Sequence, residues 1–269
     1  MKHVVCYSGG HASAICAIET VRKHGAENTI LLNHDISSTV EHSDIKRFKK
    51  QVADFLGVLI TYANMPDFET LTPLKVSVKQ SGFQFRPGQA LCTFKLKTEP
   101  FHKWLDENYP ASLDNPNSDI VIVYGFDKDE AHRIQRRAQI LGTKGYKTDF
   151  PLAYWERTIE TTEDVGIPRP VTYENQKHAN CIGCLKAGRQ HWYMVFCTHR
   201  AIFDEALVAE DIIGHSIIKG VYLAELLPKF QQMQAIGIVP EDITNASTFW
   251  ARVKRELKEE SPLPCECAI

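Results

Sequence analysis

The stretch Val4-Val5-Cys6-Tyr7-Ser8-Gly9-Gly10-His11-Ala12-Ser13-Ala14-Ile15-Cys16-Ala17 constrains the fold more than any other part of the chain. A short apolar run meets Ser-Gly-Gly and then an Ala-rich segment with helical spacing, the pattern of a strand, a tight turn and a helix. Two glycines let the backbone turn sharply with its N–H groups outward, and the helix behind them adds the positive end of its dipole. Such a turn suits phosphate, with Ser8, Gly9, Gly10 and Ser13 supplying amide and hydroxyl donors. The plainer alternative is a structural connection. His11 either donates to an anion at the helix mouth or stands exposed.

The strand–helix rhythm then repeats along the chain. Residues 12–24 predict a helix with Ile15, Ile18 and Val21 on one face and Gly25 as its stop. The run 28–33 is continuously apolar, as in a parallel strand buried on both faces, and His34-Asp35 stand at its end. An amphipathic helix over 45–56 and a strand over 58–62 come next, and the stretch 63–90 reads as a loop excursion. Further on, the pattern predicts a helix from Pro100 to residue 108, a strand over 120–124 ending at Gly125, and a helix over 129–141. A fifth strand or extended segment covers 149–154. The polar segment 156–178 wraps the surface, and the chain beyond Arg200 is mostly helical.

Strands and helices at this interval argue an α/β fold: a Rossmann-like doubly wound, mostly parallel five-stranded sheet with a helical C-terminal region. In such sheets ligands bind at the carboxyl ends of the strands, where Ser8–Ser13, Asp35 and Gly125 all fall. The 269 residues divide into a nucleotide-binding domain over 1–215 and a helical extension over 216–269. A net charge of -2 gives no reason to expect a polyanionic or membrane partner. No apolar run reaches the roughly 18 residues that span a bilayer. The N-terminus enters a strand at once, with no room for a signal peptide, and eight cysteines without a secretion signal suit a reducing cytoplasm.

Several segments in order resemble one family. Ser8-Gly9-Gly10-His11-Ala12-Ser13 is similar to a Ser-Gly-Gly-x-Asp-Ser loop, and Asp35 stands where a strand-two Asp is expected. Leu91-Cys92-Thr93-Phe94-Lys95-Leu96-Lys97-Thr98-Glu99-Pro100 resembles a Cys-Thr-x-x-Leu-Lys-x-x-Pro segment. Gly125 to Glu130 with Arg133 and Arg136, Asp149-Phe150-Pro151-Leu152 and Cys181-x-x-Cys184 complete the match over roughly 1–200. These are features of the phosphoadenosine phosphosulfate (PAPS) reductase family within the PP-loop adenine nucleotide α-hydrolase group. The resemblance implies ATP or PAPS bound at Ser8, Gly9, Gly10, His11, Ser13, Asp35, Gly125, Arg133 and Arg136. It also implies sulfur chemistry in which Cys267, Arg133 and Lys97 take part. The family's loop Asp is Ala12 here, which weakens the case for Mg²⁺-assisted ATP cleavage, and the tail Cys265-Glu266-Cys267-Ala268-Ile269 keeps only part of the reductase ending.

Arg133, Arg136 and Arg137 lie on neighbouring parts of one helix face, and guanidinium forks suit phosphate or sulfate; a solvated basic face is the alternative. Lys95 and Lys97 fall on different sides of a helix, so at most one serves a site. Cys6, Cys16 and Cys197 read as core. Cys181 and Cys184 have the spacing for two thiolates on one metal or for a redox pair, with Cys92 and Cys265 as further ligands. Family analogy favours a [4Fe–4S] cluster, with zinc as the alternative. Lys177, Lys186, Arg189 and His191 crowd this stretch and would lower the thiol pKa by charge. The implied partners are an adenine nucleotide, a thiol reductant protein in a reductase, or a nucleic-acid substrate in an adenylating enzyme. A non-catalytic nucleotide sensor and a homodimer are also compatible with the pattern.

Overall fold

The computed structural model describes residues 1–86 and 88–258. The chain divides into two compact units, one of residues 1–72, 91–173 and 178–180 and one of residues 73–90, 174–177 and 181 onward. The residues over 181–215 thus group with the C-terminal helices.

The first unit is built on five parallel strands: β1 (Lys2–Cys6), β2 (Thr29–Asn33), β3 (Ile60–Tyr62), β6 (Ile120–Val123) and β7 (Lys147–Asp149). Their order across the sheet is β3-β2-β1-β6-β7. Register pairs Val4 with Ile30 on one side and with Ile122 on the other. The inner strands β1, β2 and β6 carry apolar runs because both faces are covered there. Val5, Leu31, Val121 and Val123 point into a core with α1 (His11–His24) and α2 (Ser43–Leu56), which add Ile15, Ile18, Phe48 and Val52. Val4, Leu32, Ile120 and Ile122 point to the opposite core with Phe101, Leu105 and Leu141. The last three come from α5 (Glu99–Asn108) and α6 (Ala131–Gly142). The α/β class and the parallel five-stranded sheet follow the expectation.

Elsewhere the structure corrects the sequence reading. The 63–90 excursion holds α3 (Pro73–Lys79) and a small hairpin of β4 (Gln84–Arg86) and β5 (Gln89–Ala90), all of the second unit except its first ten residues. Helical backbone starts at α4 (Leu91–Thr93) and passes through a π-helical turn, Phe94–Thr98, into α5. The extended segment expected over 149–154 is only the end of β7. Pro151 then opens a short helix, α7 (Pro151–Tyr154), where its fixed φ and missing N–H are suited to the first turn. Helix α6 begins at Ala131, after Asp127 and Glu130 form a reciprocal cap around a 3₁₀ turn, Lys128–Glu130.

The second unit carries α8 (Arg189–Thr198), α9 (Arg200–Ile213), α10 (Leu223–Ala235) and α11 (Ala246–Glu256). Its core is aromatic: Tyr193 and Phe196 of α8 meet Phe203, Phe230 and Phe249, with ring centroids 5.2–6.2 Å apart. Among the described residues, no helix is long and apolar enough to cross a membrane.

Candidate functional site

The chain runs from β1 through β2 to β3 on one side and only then returns to pair β6 on the other side of β1. The connections leaving β1 and β6 therefore diverge, and the carboxyl ends of these strands form the switch point at which open α/β sheets take ligands. Ser8–Gly10 follow β1 and Gly125 follows β6. Gly9 has φ +83, a left-handed conformation, and Gly10 is extended as the cap of α1. A Cβ at Gly125 would lie 2.8 Å from the Ala12 carbonyl oxygen, so this glycine lets the first turn of α1 rest on the end of β6.

Around that opening the donors are distinct in their partners. The His11 N–H donates to the Tyr173 hydroxyl at 3.0 Å, and the Ala14 N–H closes the first helical bond to Gly10. The amides of Ala12 and Ser13, orphans of the first helical turn, meet no acceptor among the described residues. Ser13 Oγ donates to the Gly10 carbonyl at 2.8 Å and lies 3.2 Å from Ser8 Oγ. His11 is half-buried, with one ring nitrogen already engaged. Its Nε2 accepts the Thr162 N–H at 3.2 Å, and burial, with the charge of Arg169, lowers its pKa.

Sequence reasoning missed what lies under the loop. The Lys49 side chain is 2% exposed and runs beneath Gly9, where an added Cβ would come within 2.6 Å of Cγ. Its ammonium reaches Glu41 at 2.9 Å, Asp35 at 3.2 Å and Asn33 at 3.5 Å. Lys46 adds a second ammonium on Asp35 at 2.8 Å. Two lysines and two carboxylates thus balance in a half-buried cluster. Burial works against ionisation of Asp35, yet the bonds and charges of Lys46 and Lys49 hold its carboxyl below the usual range. Asp35 enters the site as the partner of these lysines. The available signal was phase: Lys49 shares the α2 face of Ile45, Phe48 and Val52.

At the end of β6, Tyr124, Phe126 and Phe150 stack with centroids 5.2–6.2 Å apart. Arg133 lies over Phe126 at 4.1 Å and pairs with Glu130, while Arg137 lies over Tyr124 at 5.8 Å. Arg136 is exposed and makes no ion pair among the described residues. The lysines of the π-helical turn separate as expected, since Lys95 pairs with Glu99 at 3.1 Å. Lys97 is exposed and its charge reaches His34. Burial, opposed by a hydrogen bond to the Ala63 carbonyl, takes His34 down to about 4. Cys92 is half-buried in α4.

In the second unit, Cys181 and Cys184 occupy one tight turn, both half-buried. Gly183 between them has φ +70, and a Cβ there would lie 2.8 Å from Ile202 and 3.4 Å from the Trp192 ring. The Cys184 N–H donates to Nε2 of His191 at 3.2 Å, and its carbonyl accepts from Ala187. Nε2 of His191 is thus engaged as an acceptor by the Cys184 backbone. The donor set suits a soft metal at two ligands, or a dithiol. Among the described residues no group of three His, Cys, Asp or Glu side chains is arranged to hold a metal ion. Cys265 and Cys267 lie outside the described residues.

A strap fixes the flank of α1. The buried Glu19 carboxylate accepts from Thr158 N at 2.7 Å, Thr158 Oγ1 at 2.9 Å and Ile159 N at 3.0 Å. Arg22, Arg157 and Asp164 line a cleft of about 330 Å³ there that shares no residue with the Ser8–Ser13 turn. No protein-family model, no curated protein and no solved structure matches the chain.

Proposed function

We propose that the chain binds the phosphates of an adenine nucleotide, ATP or PAPS, at the opening of α1, and performs sulfur chemistry of the PAPS reductase kind. The observation that supports this is the pair of open amides at Ala12 and Ser13, set beside two serine hydroxyls at the switch point of a parallel sheet. Tyr173 does not compete with the anion. A hydroxyl that accepts the His11 N–H keeps its own proton, which it can donate to a phosphate oxygen.

In the reductase reading, a thiolate attacks the sulfur of the phosphosulfate. The S–O bond breaks and its electron pair leaves with the nucleotide phosphate. The resulting thiosulfonate is then cleared by a thiol reductant, which becomes a disulfide as sulfite departs. Family resemblance gives the thiolate to Cys267 and the anion contacts to Arg133, Arg136 and Lys97. It also gives Cys92, Cys181, Cys184 and Cys265 to a [4Fe–4S] cluster or zinc, a group that supplies electron-transfer or Lewis-acid chemistry when bound. In an adenylating enzyme for nucleic-acid thiolation, an acceptor oxygen attacks the α-phosphorus and pyrophosphate leaves. Ala12 removes a carboxylate that would organise Mg²⁺ on that route.

Anaerobic full-length protein incubated with PAPS or with ATP separates these. Sulfite from PAPS with a thiol reductant is the expected product. Pyrophosphate and AMP from ATP would favour adenylation, and binding without product would favour a nucleotide sensor. No calorimetric binding of either nucleotide would overturn the proposal.

A further inference from the structure

The Cys181–Cys184 turn is held at three points, all within the second unit. Gly183 is packed against Ile202 and Trp192, the Cys184 carbonyl accepts from Ala187, and the Cys184 amide is bonded to His191. His191 is 2% exposed, and with Nε2 accepting, its proton lies on Nδ1. That nitrogen is buried, lacks a hydrogen-bond partner and faces Asp242 Oδ2 at 3.5 Å. Asp242 is itself pinned, since its N–H donates to the Asn175 carbonyl at 2.7 Å. Lys177 and Gln190 fasten the same loop at Thr244.

A buried imidazole costs free energy unless both nitrogens are used, and its tautomer is set by what the far nitrogen faces. A carboxylate opposite Nδ1 favours the proton there and leaves Nε2 as acceptor. We propose that Asp242 and His191 are positioning residues that fix the Cys184 amide, and with it the spacing of the two thiols, for a thiolate-bound metal ion. This rests on the reading of Cys181 and Cys184 as metal ligands. His191 acts through the Cys184 backbone and is not itself a ligand, because its Nε2 is occupied by that amide. The role also accounts for the loop between α10 and α11, whose residues 241–245 brace the turn.

The test uses the full chain, reduced and freed of metal anaerobically, titrated with Co²⁺ and followed by the thiolate-to-cobalt charge-transfer band. The wild type should develop the band, and Cys181→Ser or Cys184→Ser should lose most of it. His191→Leu removes the acceptor and should weaken Co²⁺ binding tenfold or more. His191→Gln, whose amide oxygen can accept the Cys184 N–H, should recover most of the affinity, and Asp242→Asn should fall between. Circular dichroism melts identify a variant that has lost its fold, in which case Asp242→Asn carries the decision. If the wild type shows no band, or the band survives both cysteine variants, the metal reading fails and takes this proposal with it. If the wild type binds through these thiols while folded His191→Leu and Asp242→Asn bind within twofold of it, the positioning role alone is overturned.

Discussion

Gly9 and Gly125 are each closed to a side chain, by different neighbours. At Gly9 an added methyl group meets Cγ and Cδ of Lys49, a buried side chain held at its ammonium by Asp35 and Glu41, and the left-handed φ adds strain. At Gly125 it meets the backbone of Ala12, and the whole first turn of α1 must move. Gly125→Ala should therefore destabilise the protein by about 2 kcal/mol or more, read by chemical denaturation, and should displace the amides of Ala12 and Ser13. Its pyrophosphate affinity should fall even where the variant remains folded. Tyr173→Phe is the gentler probe. It removes the acceptor for the His11 N–H and the donor proposed for phosphate, and should weaken pyrophosphate binding by roughly threefold to tenfold, as expected for one hydrogen bond of about 1 kcal/mol. Calorimetric affinity unchanged from wild type would remove Tyr173 from the site.

Two elements hold the loop from behind and from the side. Helix α2 brings Lys49 into the interior, where its charge is matched by Asp35 and Glu41. Lys49→Met would leave those carboxylates short of a buried partner, and the expected loss is about 3 kcal/mol in urea unfolding. Lys46→Met should cost less, because the Lys46 side chain is 31% exposed and water can replace it. The 156–170 strap depends on Glu19, whose one oxygen takes three donors. Glu19→Ala should lower stability by about 2 kcal/mol and make the strap the first site of limited proteolysis. A strap no more sensitive than in the wild type would mean that its other contacts suffice.

The same elements mark what the sequence can tell and where it stops. The strands Thr29–Asn33 and Ile120–Val123 are legible because full burial demands unbroken apolar runs. The end of β7 is not, since Lys147-Thr148-Asp149 carries no such run. The glycine turn is legible because Gly9 takes a left-handed φ that favours glycine. The charge cluster beneath it is legible only in part: Asp35 stands at a strand end and Lys49 in phase with the α2 core face, but their meeting with Glu41 appears only when the fold joins them. The His191–Asp242 contact joins a helix to a distant loop, and no local spacing encodes it.

For the molecule as a whole, burial sets the response to acid. His34 falls from its ordinary 6.5 to about 4, and His3, His11 and His24 are lowered in the same direction. A histidine lowered in the folded state binds its proton first in the unfolded chain. Stability is therefore full above pH 6.5 and drops as pH falls toward 4, by up to about 3 kcal/mol for His34 alone. Below that, Asp35, Asp44 and Asp127, held under the ordinary 3.8, lose their contribution as they protonate. Denaturation midpoints should hold from pH 8 to about pH 6.5 and fall from there to pH 4, and His34→Gln should make that decline shallower down to its lower end. An unchanged slope would assign it to the other histidines.

The position of β1 has a consequence for how the protein is made. Lys2–Cys6 forms the middle of the sheet, yet one of its edges waits for Ile120–Val123. At ribosomal speeds of about 5–20 residues per second, that interval lasts on the order of 6 to 25 seconds. Throughout it, a bare apolar edge is open to any neighbouring chain. Fragments that end before residue 120 should therefore gather in inclusion bodies, while those extending past β7 should remain in solution.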